Sequence, residues 1–404
     1  MAVSELPARE AMPAADRQRL LRSRFPDFWF DVAGDPYAID EPYVVTRRTL
    51  EAVRTAAAEA WNVFAQVAPI VRALPEDELS AIGIPRSAID VCRNGAGPSP
   101  TFLGRFDFAL TSAGPKLLEF NAETPFFVWE SFEIASAMVA AHGFIDPNAG
   151  ALDVLRFAIA RALSDTDKRA RVAVTAYNTW REDWFTACFT ARIASQALER
   201  EVDVVPISEL RVNRRGCFDA SGRRIDVLWR YYPLEHFARD PAGPTFFARV
   251  CDSSVRIVNP ACALFAQNKA TQAIVWGLRR SEAFDVMTRE QIERIFLPTF
   301  LDLPEDGERY VRKPVLGREG GGVAIIDAGT IVEASPAPAY ALQPAVYQRF
   351  VELPTVAFAR PCGTRTAGFA VVTCFVVGGT PCAVGMRVGG RITDAWAFMV
   401  PLAL

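Results

Sequence analysis

Histidine is nearly absent from this chain: its 404 residues include only His142 and His236. So few imidazoles argue against a histidine-rich zinc site and against most Ser–His or Cys–His triads, and each is expected to be structural. If the chain is an enzyme, carboxylates, amides and cations must do its chemistry. An excess of one charge is also lacking. Forty-four basic residues against 47 acidic ones leave a net charge of −3, so there is no basic field for nucleic acid. The densest basic patch, Arg211 with Arg214 and Arg215, reads as a solvated turn. Long apolar runs are missing as well. The longest, "FAVVTCFVVGG" from Phe369, is far short of the ~20 residues a bilayer requires and reads as a buried strand. Met1 to Arg24 has Pro7, Pro13 and several charges but no apolar centre, unlike a signal peptide. The eight cysteines are scattered without a CxxC pair, which fits reduced thiols in a cytoplasmic protein. Cys374 and Cys382 fall on neighbouring strands and would pair only if geometry allowed.

What is present is apolar bulk. Half of the residues are hydrophobic, enough for a large core, and the length suggests two to three domains. Arg47 to Arg72 carries Leu50, Val53, Ala57, Trp61 and Phe64 at helical spacing. "DPNAGALDVLRFAIARAL" predicts a second helix, capped around Asp146, Pro147 and Asn148. Strand "RVAVTAY" (Arg171 to Tyr177), helix Arg181 to Leu198 and strand "EVDVVPI" form a β-α-β unit. "IDVLWRYYPLEHF" is a strand running into a turn at Pro233. A helix carrying Lys269 follows Pro260, and strands alternate with turns thereafter. The class is mixed α/β with a β-rich final third.

The densest chemistry lies in "GRFDFALTSAGPKLLEFNAETP". Strand-like runs Phe102 to Leu110 and Lys116 to Asn121 flank the turn-rich "TSAGP". Side chains alternate along a strand, so Arg105 and Asp107 share a face, as do Glu119 and Asn121. If Leu110 closes opposite Lys116, Asp107 meets Glu119 and Arg105 meets Asn121, with Phe106, Phe108, Leu118 and Phe120 behind. Facing carboxylates repel unless a cation sits between them. Oxygen donors of this kind suit magnesium, which completes its shell with nucleotide phosphates. The alternative is a half-exposed hairpin whose polar face meets water. "YVRKPVLGREGGGV" (Tyr310 to Val323) is likewise either an ordinary hairpin or a flexible lid over phosphates.

"RFDF", "LLEFNAETP", "DVLWRYYPLE", "NKA", "RKPVLGREGGGV", "YQRF" and "RITDAWAF" occur in the order found in the glutathionylspermidine synthase family, which the chain resembles from about Arg105 to Phe398. The resemblance implies an α/β ATP-grasp fold with a preceding Rossmann-like (pre-ATP-grasp) subdomain. Its expected parts are 1–165 with the hairpin, 166–258 as the substrate subdomain, and 259–404 as the nucleotide and lid region. It also implies ATP and Mg2+ as cofactors, and ligation of a carboxylate to an amine through an acyl phosphate. Matched motif by motif, Asp107, Glu119 and Asn121 are magnesium ligands, and Arg105 steadies the transferred phosphoryl group. Lys269 and Lys313 hold phosphates, Arg318 rides on the glycine-rich loop, Gln348, Phe350 and Val351 flank adenine, and Arg387 lies near the phosphates. Thr124, Phe126, Glu182, Asp183 and Glu235 fall where substrate is contacted. The expected partners are a small-molecule or peptide acid and an amine, without nucleic acid or membrane; a homodimer is left open.

The chain departs from the family at three places. Val388 stands where an acid follows the late arginine, with one residue missing before "RIT". The terminal histidine is absent from "FMVPLAL". In "ETPFF", phenylalanines replace small residues, which makes the acid pocket greasier than glutathione requires. There is no room for the amidase domain of bifunctional members. Two alternatives therefore stand beside the ligase: an ATP-binding protein that has lost the chemistry, and a phosphotransferase on the same fold.

Overall fold

The computed structural model describes residues 12–32, 34–94, 99–336, 338–359 and 364–404. The long helix predicted from apolar spacing runs from Arg47 to Ala73. The Thr46 side chain opens it by accepting a hydrogen bond from the Thr49 amide, and Leu74, ahead of Pro75, is extended and ends it. Its buried stripe, including Leu50, Val53, Ala57 and Phe64, packs on a six-stranded sheet. Phe64 meets Phe120 with ring centroids 4.7 Å apart, and Phe106 stacks on Phe120 at 4.0 Å.

The strands of that sheet run in the order Phe398–Val400, Thr380–Gly389, Arg365–Val377, Leu103–Thr111, Gly114–Asn121, and Thr355–Ala359 also pairs with Arg365–Val377. All of these pairings are antiparallel. A five-stranded antiparallel sheet has Ala345–Arg349 and Tyr310–Pro314 at its centre, with Ala324–Asp327 beside them. A third sheet is fully parallel, in the order Arg256–Val258, Val227–Arg230, Val172–Ala176, Asp203–Pro206. Helix Arg181–Leu198 crosses between its last two strands, as the β-α-β reading expected. The two central strands, Val172–Ala176 and Val227–Arg230, are short and buried along their whole length.

Two sequence expectations shift. The helix after Pro260 is two helices, Ala263–Gln267 and Ala270–Leu278. Asn268 breaks the run because its Oδ1 accepts from the Ala270 amide at 2.8 Å, offering the backbone a turn in place of a helix. Lys269 is therefore the cap residue of the second helix. The helix expected from Asp146 begins instead at Ala151, after Gly150 at φ 82°. Asn148 is used elsewhere: its Nδ2 donates to the Ser131 and Val384 carbonyls, and its Oδ1 accepts from the Val384 amide. Cys374 lies opposite Val384, and both Cys374 and Cys382 are free thiols. No helix among the described residues is long and apolar enough to cross a membrane.

Candidate active site

The hairpin brings its polar residues together as alternation predicts. Arg105 pairs with Asn121 and Asp107 with Glu119. The turn closes differently, with Leu110 opposite Pro115 and Thr111 opposite Gly114, and the register shifts between Asp107 and Phe108. Gly114, at φ 104°, permits that tight closure. The extra residue forms a bulge that re-aims one side chain. Leu117 consequently enters the core, whereas Leu118, expected behind the sheet, lines the cavity in front of it.

On the polar face, Arg105 forks onto Asp107 at 2.7 and 2.8 Å, and its third nitrogen donates to the Phe126 carbonyl at 2.7 Å. Asn121 Nδ2 donates to Asp107 Oδ2 at 3.2 Å and to Glu119 Oε1 at 3.0 Å. Lys269 Nζ reaches Glu119 Oε2 and the Gly317 carbonyl. Lys313 Nζ donates to the Leu118 carbonyl at 3.0 Å and to Gln348 Oε1 at 2.7 Å. Burial would raise the Glu119 carboxyl, but Lys269, Lys313, the Asn121 amide and Arg105 together hold it well below the usual carboxylate range. Burial wins at Asp107, whose carboxyl is raised despite Arg105. It also pushes the Lys313 ammonium down to about 8.

These three oxygen-bearing side chains fit a hard cation. The Asn121 amide bridges both carboxylates, so turning it over presents its oxygen to the same point. Among the described residues no group of three or more His, Cys, Asp or Glu forms a metal cluster. Two carboxylates and one amide suit magnesium, which keeps room for water and phosphate.

The glycine-rich segment joins strands Tyr310–Pro314 and Ala324–Asp327 as a hairpin. Gly320 has φ 69°, and a Cβ there would sit 2.6 Å from the Thr393 carbonyl oxygen, so no side chain fits. Arg318 turns toward the parallel sheet. Its guanidinium is hydrogen-bonded to Glu235 and lies 3.6 Å from Glu123 Oε2. Glu123 Oε1 in turn accepts from Arg230 and from the Leu234 amide, both at 2.6 Å. Burial opposes charge on Glu235, yet Arg318 keeps that carboxyl below its ordinary value.

One cavity of about 690 Å³ connects these groups. Every residue singled out from the sequence lines it except Glu235, which is buried and spent on Arg318. One end is apolar, with Val311, Val323, Ile325, Phe350, Val351 and Leu353. The other end joins Thr124, Phe126, Tyr177, Trp180 and Tyr231 to Glu182 and Asp183. Burial, then Glu319 and Glu182, push the Asp183 carboxyl up to about 7. Arg387 donates to the Asp394 carbonyl at 2.5 Å. Its neighbour Val388 lies in the core opposite Phe398, so the position after the arginine does not face the cavity.

Sequence reasoning did not single out several cavity residues. Trp29, Tyr37, Glu130 and His236 all line the space. Trp29 and Tyr37 come from an N-terminal segment without periodicity, and no motif marks them. His236 was expected to be structural; it faces the cavity, and burial lowers its imidazole from the ordinary value. The Glu123–Arg230 pair, with both side chains fully buried, sits inside two of the quoted motifs but is recognisable only once the two segments meet. His142 lies 3.3 Å from Asp40, away from the cavity.

A family model described as glutathionylspermidine synthase preATP-grasp matches residues 13–404. A Haemophilus influenzae protein named "Putative acid--amine ligase" is 24% identical over 302 residues, covering 71% of this chain and 70% of that protein. The solved structure of a glutathione synthetase-like effector from Globodera pallida, in its apo form, superposes with a TM-score of 0.57 at 13% identity, over 99% of this chain and 100% of that one. The fold is thus of the ATP-grasp synthetase type, with a Rossmann-like parallel-sheet portion. The names of the family and of the relative are those of ligases that join an acid to an amine.

Proposed function

Because the chain belongs to the glutathionylspermidine synthase preATP-grasp family, we propose that it is an ATP-dependent carboxylate–amine ligase acting through an acyl phosphate. The observation that carries this reading is that Arg105 grips Asp107, Lys269 pairs with Glu119, Asn121 bridges the two carboxylates, and Lys313 lowers Glu119 electrostatically, all in a single cavity. One end of that cavity is apolar and the other is aromatic and acidic.

Gln348, Phe350 and Val351 would flank the adenine at the apolar end. Lys269 and Lys313 would hold phosphates as point charges, and Arg105, Arg318 and Arg387 can fork onto phosphoryl oxygens. Asp107, Glu119 and Asn121 would hold Mg2+, which when bound supplies neutralisation of phosphate charge. Phosphoryl transfer needs positioning and charge neutralisation more than covalent help from the protein. Arg318 would leave Glu235 as the glycine-rich loop meets the nucleotide, shielding the reactive acyl phosphate from water.

The cationic amine would approach along Glu182 and Asp183. The acid would lie against Phe126, whose ring centroid is 5.3 Å from that of Tyr231, which favours an acid with an apolar or aromatic body. Region 166–258 would serve the substrates and 259–404 the nucleotide. The free thiols are consistent with a cytoplasmic setting.

The test is phosphate release from magnesium-ATP over a matrix of acids and amines. Release that needs one acid and one amine together, with a product mass equal to their sum less water, is expected. Release with the acid alone and a stable phosphorylated product would replace the ligase by a phosphotransferase.

A further inference from the structure

Glu130 takes no part in the phosphate, metal or substrate contacts above, yet it is a buried carboxylate facing the same cavity. It is 3% exposed and begins a single π-helical turn, Glu130–Ile134, immediately after Trp129. Such turns in an otherwise α-helical run re-aim one side chain and recur at functional sites. The Tyr37 hydroxyl, from a segment 93 residues away, donates to Glu130 Oε1 at 2.8 Å. Glu130 Oε2 is buried and has no hydrogen-bond partner among the described residues. A buried carboxylate oxygen without a donor is costly unless a ligand supplies one.

Two arginines assigned above to the phosphates, Arg105 and Arg387, act on this carboxyl. Arg105, which grips Asp107, is anchored to the Phe126 carbonyl, four residues before Glu130. The charged and titratable groups facing Glu130 are Tyr37, Arg105, Arg387 and Tyr231. Its helical neighbour Glu133 turns away to Trp129 and Arg192. Burial pushes the Glu130 carboxyl up to about 7, against the pull of its own backbone amide, the Tyr37 hydroxyl and the two arginines. Asp183 reaches a similar value among Glu319 and Glu182 instead, with no contribution from Arg105.

Resting on the ligase reading, we propose that Glu130 is the proton acceptor for the attacking amine. An amine arrives as an ammonium ion and is not nucleophilic until it loses a proton. Glu130 Oε2 takes that proton, the nitrogen lone pair forms the C–N bond, and the acyl C–O bond to phosphate breaks. The second proton leaves nitrogen with the departing phosphate, giving an amide and hydrogen phosphate. Glu130 then returns its proton to solvent. A carboxyl titrating near 7 suits this task, since it is half ionised at neutral pH and basic enough to accept. The Tyr37 hydroxyl holds Oε1 and leaves Oε2 without a donor.

The experiment compares two nucleophiles. Hydroxylamine is already neutral at pH 7 and needs no base, whereas propylamine is protonated. Wild-type protein with magnesium-ATP is offered each of the twenty amino acids, glutathione and phenylacetate, and ADP and hydroxamate are measured. With an acid that gives hydroxamate, Glu130→Gln should keep hydroxamate formation within about threefold and lose propylamide formation by roughly 10²-fold. The wild-type propylamide profile should show an acid limb near pH 7. Tyr37→Phe should move that limb upward, because the hydroxyl favours the carboxylate; a purely structural role would lower the rate without moving it. Equal losses with both nucleophiles, or propylamide formation within about threefold of wild type, would overturn the assignment. Absence of hydroxamate from wild-type protein with every acid would sink the ligase reading and Glu130's role with it. Hydroxamate from wild type with an unaffected propylamide rate in Glu130→Gln would sink only the latter.

Discussion

Lys269 Nζ lies 3.3 Å from Glu119 Oε2 and donates to the Gly317 carbonyl at 2.8 Å. One ammonium thus ties the polar hairpin to the glycine-rich loop. The contact exists because Asn268 breaks the preceding helix, leaving Lys269 at the mouth of the next one. Glu119→Gln keeps the size of the side chain and removes its charge. ATP-dependent turnover is expected to fall at least ~10²-fold while the circular dichroism spectrum stays that of wild type. Turnover within a few-fold of wild type would remove Glu119 from the phosphate and metal chemistry.

Arg318 serves two buried carboxylates, Glu235 and Glu123. Arg318→Ala leaves both without their shared guanidinium, a cost of about 3 kcal/mol. Thermal unfolding should show a clear drop in Tm, partly restored when Glu235→Gln is added. In kinetics, kcat should fall more than the ATP affinity, since a loop residue that closes after binding acts on turnover. An unchanged kcat would make the loop an ordinary hairpin.

Lys313 carries a pH prediction. Burial lowers its ammonium to about 8, and phosphates bind the protonated form. ATP affinity should therefore hold below pH 8 and weaken above it, by roughly tenfold at pH 9. Lys313→Arg stays charged throughout and should flatten the curve. Calorimetric titration of ATP from pH 7 to 9 distinguishes the two; parallel curves would mean that Lys313 does not meet phosphate.

Glu130 also carries a stability prediction that needs no catalysis. Its carboxyl rises from an ordinary 4.5 to about 7 on folding, so between those values the folded state binds more protons than the unfolded chain. Stability from this group therefore falls as pH rises through that window. Glu130→Gln has no such dependence. The Tm difference, variant minus wild type, should grow from pH 5 to pH 8. A difference independent of pH would show that Glu130 is ionised in the folded protein like an exposed glutamate.

Much of this site was legible in the linear order of residues. Arg105, Asp107, Glu119 and Asn121 alternate along two runs separated by a turn, and period-two geometry alone brings them to one face. Lys313 followed by the glycine-rich run reads as strand and loop for the same local reason. Local rules also placed Arg181–Leu198 and its flanking strands, because apolar periodicity survives in the order of residues. They failed where a side chain's partner lies far away. Glu235 reads as a substrate contact beside Pro233, but it is buried against Arg318, 83 residues later. Leu118 reads as a core residue, but a bulge set by the tight Thr111–Gly114 closure turns it to the cavity.

The sequence by itself determined the chemistry available to this protein: scarce histidine, abundant carboxylates and cations, and the strand pattern that lines them up. Only the tertiary structure decided which carboxylates are neutralised and which are not. Glu119 is held by Lys269, Glu123 by Arg230 and Glu235 by Arg318, while Glu130 is held by the neutral Tyr37 hydroxyl. Those assignments depend on charge separations of a few ångströms across elements that are distant along the chain. The energy of a buried charge is set by such distances and by lost water, neither of which is encoded in local spacing.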